Sequence, residues 1–524
     1  MVVIHNVNTP LNTDFSKLKP FFAKTLNISS QDIKSVKLHK KSVDARRKDD
    51  VHFCCSFLID GNDSVILKKA KKYSASIYKE KNISWPKKRV LSGKRPIIVG
   101  FGPAGMFAAL TLAYAGLCPI IIERGASADE RKKEIESFWS GNVLNCDNNV
   151  QFGEGGAGTF SDGKLNTGIK NKNIKKVLYT FTEHGANEDI LYESKPHIGT
   201  DILINVVKSI REEIISLGGE ILFNTKLQKI NIKDSKINSV IANEKEIPCD
   251  TVILAIGHSA RDTFEMLYES NINMQPKPFA VGCRIEHLQK DINKSQYGEF
   301  ANNPNLKNAD YKLVTHLESG RGVFTFCMCP GGYVVNASSE KDGVAVNGMS
   351  YQKRDNINAN SAVLVGVNPE DFDGEHPLRG MYFQREIEKK VYAVTNSHRA
   401  ISTKFGDFLN HSITTEFGNI KPTVKPKPIC DNVYKIYPDF ITDSLRQGIL
   451  QLDKKLKGFA DENAVLTFPE TRTSSPVRIV RNEFFESNIK GLYPCGEGAG
   501  YAGGITSAAV DGITVAEAVL ERRD

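Results

Sequence analysis

The chain has 524 residues, of which 40% are hydrophobic and 25% are charged, and this length predicts about three domains with well-buried cores. Its 69 basic and 61 acidic residues leave a formal charge of +8, which is too moderate to indicate nucleic-acid binding on its own. The ten cysteines show no C-x2-C spacing, so no zinc site is indicated.

The beginning of the chain and its apolar segments suggest where the protein resides. The first 16 residues lack the basic start and apolar core of a signal peptide. The most apolar predicted helix, 104–115, is too short to span a bilayer. We therefore expect a cytoplasmic protein with reduced cysteines, no bound metal and no membrane partner.

Residues 1–90 predict a separate ferredoxin-like α+β module, because their strand and helix patterns follow the order βαββαβ. A basic, proline-containing segment, 85–94, is the predicted linker to the rest of the chain. RNA binding by the module is disfavoured, because the aromatic stacking pair of an RNA-recognition sheet is not evident. A solvated charged surface is the favoured interpretation of its basic side chains: Lys37, His39, Lys40, Lys41, Arg46, Arg47, Lys68, Lys69, Lys71 and Lys72.

A glycine-rich turn follows the next apolar strand, where residues 95–105 read RPIIVGFGPAG. Gly100 permits a tight turn, Gly102 lets the backbone approach a pyrophosphate, and Gly105 lets the following helix pack closely on the strand. That helix begins at Pro103 and Ala104, where its free N–H groups and positive dipole end favour an anion. The turn therefore predicts a dinucleotide site.

The second strand of this unit ends in an acidic residue about twenty residues after the turn. Glu123 follows the apolar run 119–122 and precedes Arg124. A carboxylate at this place accepts hydrogen bonds from ribose hydroxyls and repels a 2′-phosphate, so the ligand is FAD or NAD rather than NADP. Strand, turn, helix, strand and acid in this order are far more specific than the glycines alone.

Two later segments predict a flavin. Residues 153–165 read GEGGAGTFSDGKL, which suits a loop lying against a large flat ligand. In this loop Ser161 and Lys164 are expected to reach polar atoms of the flavin ring, with Lys164 favouring its anionic reduced form. In flavoproteins of this fold, a late strand ends in Gly-Glu or Gly-Asp and the acid binds the ribityl chain; Gly496 and Glu497 fit that pattern.

The last helix and several strand ends complete the predicted cofactor site. The small residues around Gly504 and Ile505 would let backbone N–H groups approach the isoalloxazine. The remaining expected cofactor contacts lie in the glycine-rich loop and at strand ends: Gly155, Gly158, Thr159, Leu227, Ala255 and Gly257.

The order of these segments predicts an α/β protein in three parts. A discontinuous Rossmann-type FAD-binding domain covers 94–275 and 466–524, because the chain returns to it at the late strand. Residues 276–465 mix strands with helices and are predicted to form an inserted α+β substrate domain. The ferredoxin-like module, 1–90, precedes both.

Three kinds of side chain keep more than one interpretation, and no catalytic residue is identified. His258 could be an acid/base group, although a capping or packing role is more common. Cys327 and Cys329 share one face of a strand, but their apolar neighbours favour structural over redox-active thiols. Arg472 and Arg478 could bind an anionic substrate or belong to an ion-paired scaffold.

With these segments the chain resembles the bacterial family of uncharacterised FAD-dependent dehydrogenases, which are glutathione-reductase-like flavoproteins with a single Rossmann fold and an FAD-dependent-protein C-terminal domain. The matching stretches are distributed over almost all of the chain after about residue 90: 99–106, 153–165, 257–261, 326–332 and 472–504. The resemblance implies FAD bound at Gly100, Gly102, Gly105, Glu123, Gly158, Gly257 and Glu497. It implies no particular substrate.

The leading functional prediction is an FAD-dependent oxidoreductase that transfers hydride through flavin N5 to or from a small organic substrate. No second GxGxxG follows a strand, so a dedicated NAD(P)H domain is not expected, and NAD(P)H remains a candidate external reductant. One alternative is a flavin-dependent RNA-modifying enzyme anchored by the N-terminal module. Another is a non-catalytic flavin-binding redox sensor.

Overall fold

The computed structural model describes residues 1–80, 83–89, 93–372 and 374–523. Positions 81, 82 and 90 of the predicted module and 90–92 of the predicted linker lie outside the described residues. Within the described part the protein mixes helices with parallel and antiparallel sheets, as the predicted α/β class requires.

The N-terminal unit is a four-stranded antiparallel sheet with two helices packed against one face. Its strands in sheet order are Ile33–Asp44, His52–Gly61, Val2–Thr9 and Ser74–Ile77, and its helices are Leu18–Leu26 and Asp63–Lys69. This is the sheet order expected of a βαββαβ chain. Phe22, Phe57 and Ile59 form its core, each 0% exposed.

Both arginines at the turn of this unit's basic hairpin are ion-paired. Arg46 binds Asp44 at 2.5 Å and Arg47 binds Asp49 at 2.8 Å, both within the turn itself. Lys41 donates its backbone N–H to the carbonyl of Tyr192 at 2.7 Å, so this edge is joined to the next part of the chain.

A five-stranded parallel sheet forms the centre of the second unit. Its strands in sheet order are Leu492–Pro494, Val252–Leu254, Ile97–Val99, Ile120–Ile122 and Glu220–Leu222. Numbered along the chain this order is 5-4-1-2-3, which is the order of the doubly wound dinucleotide fold. The first four strands in this order are almost fully buried, whereas the edge strand Glu220–Leu222 is partly exposed, because both faces of the sheet are covered. Ile98 packs among helix residues on one face, and Ile97 packs on the other face with residues of a three-stranded sheet described below.

Helices surround the parallel sheet: Pro103–Tyr114, Ala128–Trp139, Asn173–Glu183, Thr200–Ser216, Arg261–Glu269 and Ile505–Arg523. The first carries proline in its first turn, where the missing N–H costs nothing. It packs against the last helix so closely that a Cβ at Gly512 would lie 2.1 Å from the carbonyl oxygen of Ala104. A three-stranded antiparallel sheet lies beside them, formed by Leu227–Lys233, Lys236–Ala242 and Lys245–Pro248.

A six-stranded antiparallel sheet forms the centre of the third unit. Its strands in sheet order are Val314–His316, Gly322–Cys329, Asn358–Val367, Phe279–Leu288, Val465–Glu470 and Ile401–Lys404. The helices Gln289–Tyr297, Arg379–Thr395, Phe405–Leu409 and Asp439–Asp453 belong with it, as does the strand pair Tyr333–Asn336 and Val346–Met349.

The expected return of the chain at residue 466 is too early. Val465–Glu470 pairs with Phe279–Leu288 and Ile401–Lys404 in the six-stranded sheet, so it belongs to the third unit. The crossing between units is a ribbon of two short strands, Met274–Pro276 and Val477–Ile479. The sequence of an apolar strand does not indicate which of two sheets it joins. Only the pairing with neighbouring strands shows this.

The described residues contain no helix with the length and apolar content needed to cross a bilayer.

Candidate functional site

A cleft open to solvent, with an empty volume of about 1460 Å³, lies at the carboxyl ends of the parallel strands. Gly100, Glu123 and Ala255 lie just after three of these strands and line it. Ligands bind at this edge in open α/β sheets. The opposite wall comes from the third unit and includes Phe326 and Glu470.

Most of the residues predicted to contact a cofactor line this one cleft. They are Gly100, Gly102, Pro103, Ala104, Glu123, Arg124, Gly158, Ser161, Lys164, Leu227, Ala255, Gly257, Glu497, Gly504 and Ile505. Residues from both ends of the interrupted unit, such as Gly102 and Glu497, therefore face a common space.

Four predicted contacts lie outside the cleft lining and pack within the protein. A Cβ at Gly105 would lie 1.9 Å from the carbonyl oxygen of Gly100, and one at Gly155 would lie 2.0 Å from Oγ1 of Thr159. Thr159 is 0% exposed and donates to the carbonyl of Glu154. Gly496 donates its N–H to the carboxylate of Asp511 at 2.7 Å. These four residues therefore contribute to the close packing of the loops through the absence of a side chain or through a hydroxyl group.

The first turn leaves its second glycine open toward the cleft. Gly100 has φ +97° and a Cβ there would lie 2.3 Å from the carbonyl oxygen of Ala255, so glycine is required on both counts. A Cβ at Gly102 would meet only Gly156, at 3.7 Å. The turn geometry thus needs Gly100, whereas Gly102 is left free to face a ligand.

Glu123 ties the two glycine-rich loops together. It is 5% exposed, and its Oε2 accepts the N–H of Phe101 at 2.8 Å while its Oε1 accepts the N–H groups of Gly125 and Gly153 at 2.9 Å. A carboxylate has about four acceptor positions, so one remains for a ribose hydroxyl. This organising role in the loops was not predicted from the sequence.

Arg124 forms a rigid flat surface next to Glu123. It donates to Asp262 at 2.9 Å and to Thr263 at 3.0 Å, and its guanidinium lies 4.3 Å from the ring centre of Phe152. Burial alone would raise the pKa of Asp262, but Arg124 and Lys226 outweigh burial and hold the pKa at about 2. The arginine is therefore a fixed wall of the cleft, with its charge neutralised.

The two loop residues expected at the flavin ring are both held by protein partners. Ser161 donates to the carbonyl of Gly158 at 2.7 Å and accepts from the N–H of Gly163 at 3.0 Å. Lys164 reaches across the cleft and donates to the carbonyl of Met328. Both still line the cleft, but Lys164 connects the loop to the six-stranded sheet, a link that the sequence did not predict.

His258 pairs with the predicted ribityl-binding acid. Its Nδ1 lies 3.5 Å from Oε1 of Glu497, the histidine is 8% exposed, and both residues line the cleft. Its Nε2 is buried without a hydrogen-bond partner among the described residues. The histidine therefore lies beside Glu497, a contact between distant segments that sequence spacing does not reveal.

Buried ion pairs form the base of the third unit's wall. Arg472 binds Glu388 at 2.7 Å, and Glu388 also accepts two hydrogen bonds from Arg261, each at 2.8 Å. Of the two roles considered for Arg472, the structure supports the ion-paired scaffold. Arg478 lies outside the cleft lining and donates to the carbonyl of Gly500 at 3.3 Å.

The two cysteines of the strand Gly322–Cys329 have different surroundings. Cys327 lines the cleft, whereas Cys329 is 0% exposed and donates to the carbonyl of Cys327 at 3.2 Å. Burial raises the pKa of Cys327, and it raises the pKa of Cys329 to about 12. Both thiols are therefore protonated at neutral pH.

The cleft fits a long, flat dinucleotide. A Cβ at Gly257, Gly503 or Gly504 would meet nothing within 4 Å, so all three glycines border empty space. Gly257 has φ +69°, which by itself favours glycine. Gly503 and Gly504 line the cleft and leave room for a ligand to approach the backbone. Among the described residues, no group of three or more His, Cys, Asp or Glu side chains is placed to hold a metal ion.

Comparison with known proteins shows the protein family to which this chain belongs. Residues 278–473 match the family model of the FAD-dependent protein C-terminal domain, and residues 1–60 match a domain of unknown function. An uncharacterised protein of Clostridium beijerinckii is 49% identical over 533 residues, which covers 99% of both chains. The chain belongs to this bacterial family of FAD-dependent proteins. FAD is its cofactor, as predicted.

Solved structures resemble the chain only distantly. Glycine oxidase from Bacillus cereus is 11% identical, with 83% of this chain and 96% of that chain covered and a TM-score of 0.34. L-Proline dehydrogenase from P. horikoshii is 10% identical, with 83% and 95% covered and a TM-score of 0.34. We draw no functional argument from likenesses at this level.

Proposed function

We propose that the protein is an FAD-dependent oxidoreductase that acts on a small organic substrate. Bound FAD supplies hydride transfer at the flavin ring. The observation that carries the proposal is the single cleft lined by Gly102 near the start of the parallel-sheet unit, Glu497 near its end, and Phe326 from the six-stranded sheet. A cleft of this kind holds the cofactor between two walls and leaves the third unit to face the substrate.

Four groups of residues would hold the cofactor along the cleft. Glu123, Arg124 and Leu227 would hold the adenosine end. Gly100, Gly102, Pro103 and Ala104 would hold the pyrophosphate, because backbone N–H groups at a helix start bind anions well. Glu497, beside His258, would hold the ribityl chain. Gly158, Ser161, Gly257, Gly504 and Ile505 would surround the ring.

The domain organisation follows from the same assignment. The dinucleotide unit would comprise about 94–275 and the residues after 470, and the substrate unit would comprise 276–470. The N-terminal module, 1–90, would be an accessory unit. The family match that ends at residue 473 supports this later boundary. The ten unpaired cysteines fit a reducing compartment such as the cytoplasm, where NAD(P)H is a candidate external reductant.

The first test is the absorption spectrum of the purified protein. We expect the bands of oxidised flavin, either as isolated or after incubation with FAD, and release of FAD rather than FMN on denaturation. A protein that remains colourless after reconstitution would refute the proposal. Steady turnover of any donor and acceptor pair would then exclude a purely sensory role.

A matched pair of glycine variants tests the location of the cofactor. Gly504→Val places a side chain in empty space within the cleft, and Gly168→Val places one in equally empty space outside it. Both variants should fold like the wild type. We expect Gly504→Val to weaken FAD binding by about tenfold or more, which is about 1.4 kcal/mol, and Gly168→Val to leave it unchanged, as measured by fluorescence titration of the FAD-free protein. Equal FAD affinities in the two variants would mean that the flavin does not bind next to Gly504.

A further inference from the structure

The wall of the cleft opposite the dinucleotide fold contains an irregular strand. Gly322–Cys329 pairs with Asn358–Val367, but the register shifts between Phe326 and Cys329, so two residues there are left without ladder partners. Cys327 has φ +43° at this position. The carbonyl of Cys327 accepts from Nη1 of Arg284 at 2.9 Å, and that of Met328 accepts from Nζ of Lys164. The bulge thus anchors two cations, the buried Arg284 and the cleft-lining Lys164.

The charges around this wall are balanced except at Lys164. Among the Lys and Arg residues of the described chain that line the cleft, Arg124 is paired with Asp262 and Arg472 with Glu388. Lys164 has no carboxylate within 4 Å among the described residues.

The acid two positions before Lys164 is shared with an arginine. Both oxygens of Asp162 are held by Arg354, through Nε at 3.1 Å and through Nη2, and Oδ1 also accepts from Ser350. The thiol of Cys327, which also lies near Lys164, is protonated. A half-buried ammonium with a single carbonyl partner retains two donors, and partial burial makes an anionic partner favourable.

Asn347 supplies a second donor at the same wall. Its Oδ1 accepts from Nη2 of Arg284 at 2.7 Å and from the N–H of Gly348 at 2.8 Å. A guanidinium only donates, so the amide oxygen must face it and the NH₂ group must point away. Arg284 is itself fixed by Glu470 at 2.9 Å, and Asn347 lines the cleft. Its amide is therefore an oriented donor.

We propose that Lys164 and Asn347 form a subsite for a carboxylate group of the substrate, so that the substrate of the proposed oxidoreductase is a small organic acid. The two donors flank the bulge at residues 327–328, and charge-assisted hydrogen bonds to a carboxylate are the strong ones. The ring of Phe326, 37% exposed, offers an adjacent apolar surface for the organic part. This inference rests on the proposed function, because it places the acid in the cavity that faces the flavin.

The test compares carboxylate and amide probes on the FAD-loaded protein. Benzoate, acetate and succinate, with benzamide as the uncharged control, are titrated by calorimetry and by flavin difference spectra. We expect at least one carboxylate to bind saturably at millimolar concentration, and benzamide to bind about tenfold or more weakly than benzoate. Saturable binding by none of the carboxylates, or equal binding of benzoate and benzamide, would overturn the inference.

Variants of Lys164 and Asn347 test whether these two residues form the subsite. Lys164→Met should weaken carboxylate binding by about tenfold or more, Lys164→Arg should retain most of it, and Lys170→Met, at an exposed position, should have no effect. Asn347→Asp keeps the acceptor for Arg284 but loses the donor, so it should weaken benzoate binding more than benzamide binding.

The failures of the two proposals can be told apart. If Lys164→Met lowers FAD affinity or alters the flavin spectrum but leaves carboxylate affinity unchanged, the lysine serves the flavin ring and the inference is wrong while the proposed function stands. If the wild type binds no FAD, the proposed function fails. Circular dichroism of each variant shows whether a loss of binding reflects a loss of structure.

Discussion

Cys327 and Cys329 show how position on one strand determines the chemistry of a residue. A thiol reacts as the thiolate, and burial raises the pKa of both groups, to about 12 for Cys329. Relative to an ordinary thiol with a pKa of 9.0, the thiolate fraction of Cys329 at pH 8 is lower by about a thousandfold. Proximity of the two residues alone is therefore not evidence of a redox pair.

We expect Cys329 to resist alkylation in the native protein. Iodoacetamide at pH 8 should leave it unmodified in the folded state and modify it fully in denaturant, with peptide mass spectrometry as the readout. A small free thiol in the same tube checks that the reagent is active. Cys327→Ala should still allow reduction of the bound flavin. Rapid native modification of Cys329, or loss of flavin reduction in Cys327→Ala, would indicate a redox role.

At the scale of elements, two glycines in the first strand–turn–helix unit differ in role, one in packing and one in binding. A Cβ at Gly105 would lie 1.9 Å from the carbonyl oxygen of Gly100, so alanine must push the helix away from the strand. A Cβ at Gly102 would have only an ordinary contact at 3.7 Å. Two glycines of one motif thus have different tasks.

This difference predicts opposite phenotypes for two alanine variants. Gly105→Ala should destabilise the protein by about 1–3 kcal/mol through overpacking. Gly102→Ala should leave the stability of the FAD-free protein unchanged but weaken FAD binding by about tenfold, because the added methyl group lies where the pyrophosphate approaches. Denaturation curves and FAD titrations of both variants provide the check. The reverse pattern would show that Gly102 is the packing glycine.

The elements themselves were largely predictable from local pattern. The helix predicted over 104–115 is found at Pro103–Tyr114, because the glycine turn and the proline mark its start. The bulge in Gly322–Cys329 was not predictable, since a register shift is defined by the partner strand. For the same reason Val465–Glu470 was assigned to the wrong unit: a short apolar strand carries no signal for the sheet it joins.

At the scale of the whole molecule, the cleft-lining residues that the sequence singled out lie mainly on the wall formed by the parallel-sheet unit. Dinucleotide-binding motifs are short, and their spacing follows from one turn and one helix start. The wall formed by the third unit depends on contacts between distant segments: Arg284 meets Glu470 across 186 positions and Lys164 meets Met328 across 164. No local pattern indicates such pairs.

The ion cluster around Glu388 joins the two larger units. Glu388 lies on the helix Arg379–Thr395 of the third unit and binds Arg261, on a helix beside the parallel sheet, as well as Arg472. Burial alone would raise the pKa of Glu388, but the two guanidinium groups hold it far below its ordinary value. Its charge is therefore maintained by contacts that exist only when both units are folded together.

Removing this charge should leave two buried guanidinium groups without their buried carboxylate partner, with only the partly exposed Glu340 still in contact with both among the described residues. We expect Glu388→Gln to lower the free energy of unfolding by about 3–5 kcal/mol, the cost of breaking a buried ion pair. Asp342→Asn is the control, because its pair with Lys389 at 2.9 Å is half exposed, and its loss should cost less than about 1 kcal/mol. Urea denaturation at neutral pH measures both.

The same cluster predicts how stability depends on pH. The pKa of Glu388 is depressed in the folded state, so the unfolded chain takes up its proton first as the pH falls. The stabilisation is complete above the unfolded pKa of about 4.3 and is lost progressively below it, toward the folded pKa. Urea denaturation from neutral pH down to about pH 3 should show a smaller loss of stability in Glu388→Gln than in the wild type. An identical pH dependence in the two proteins would mean that Glu388 is not charged against Arg261 and Arg472 in the folded state.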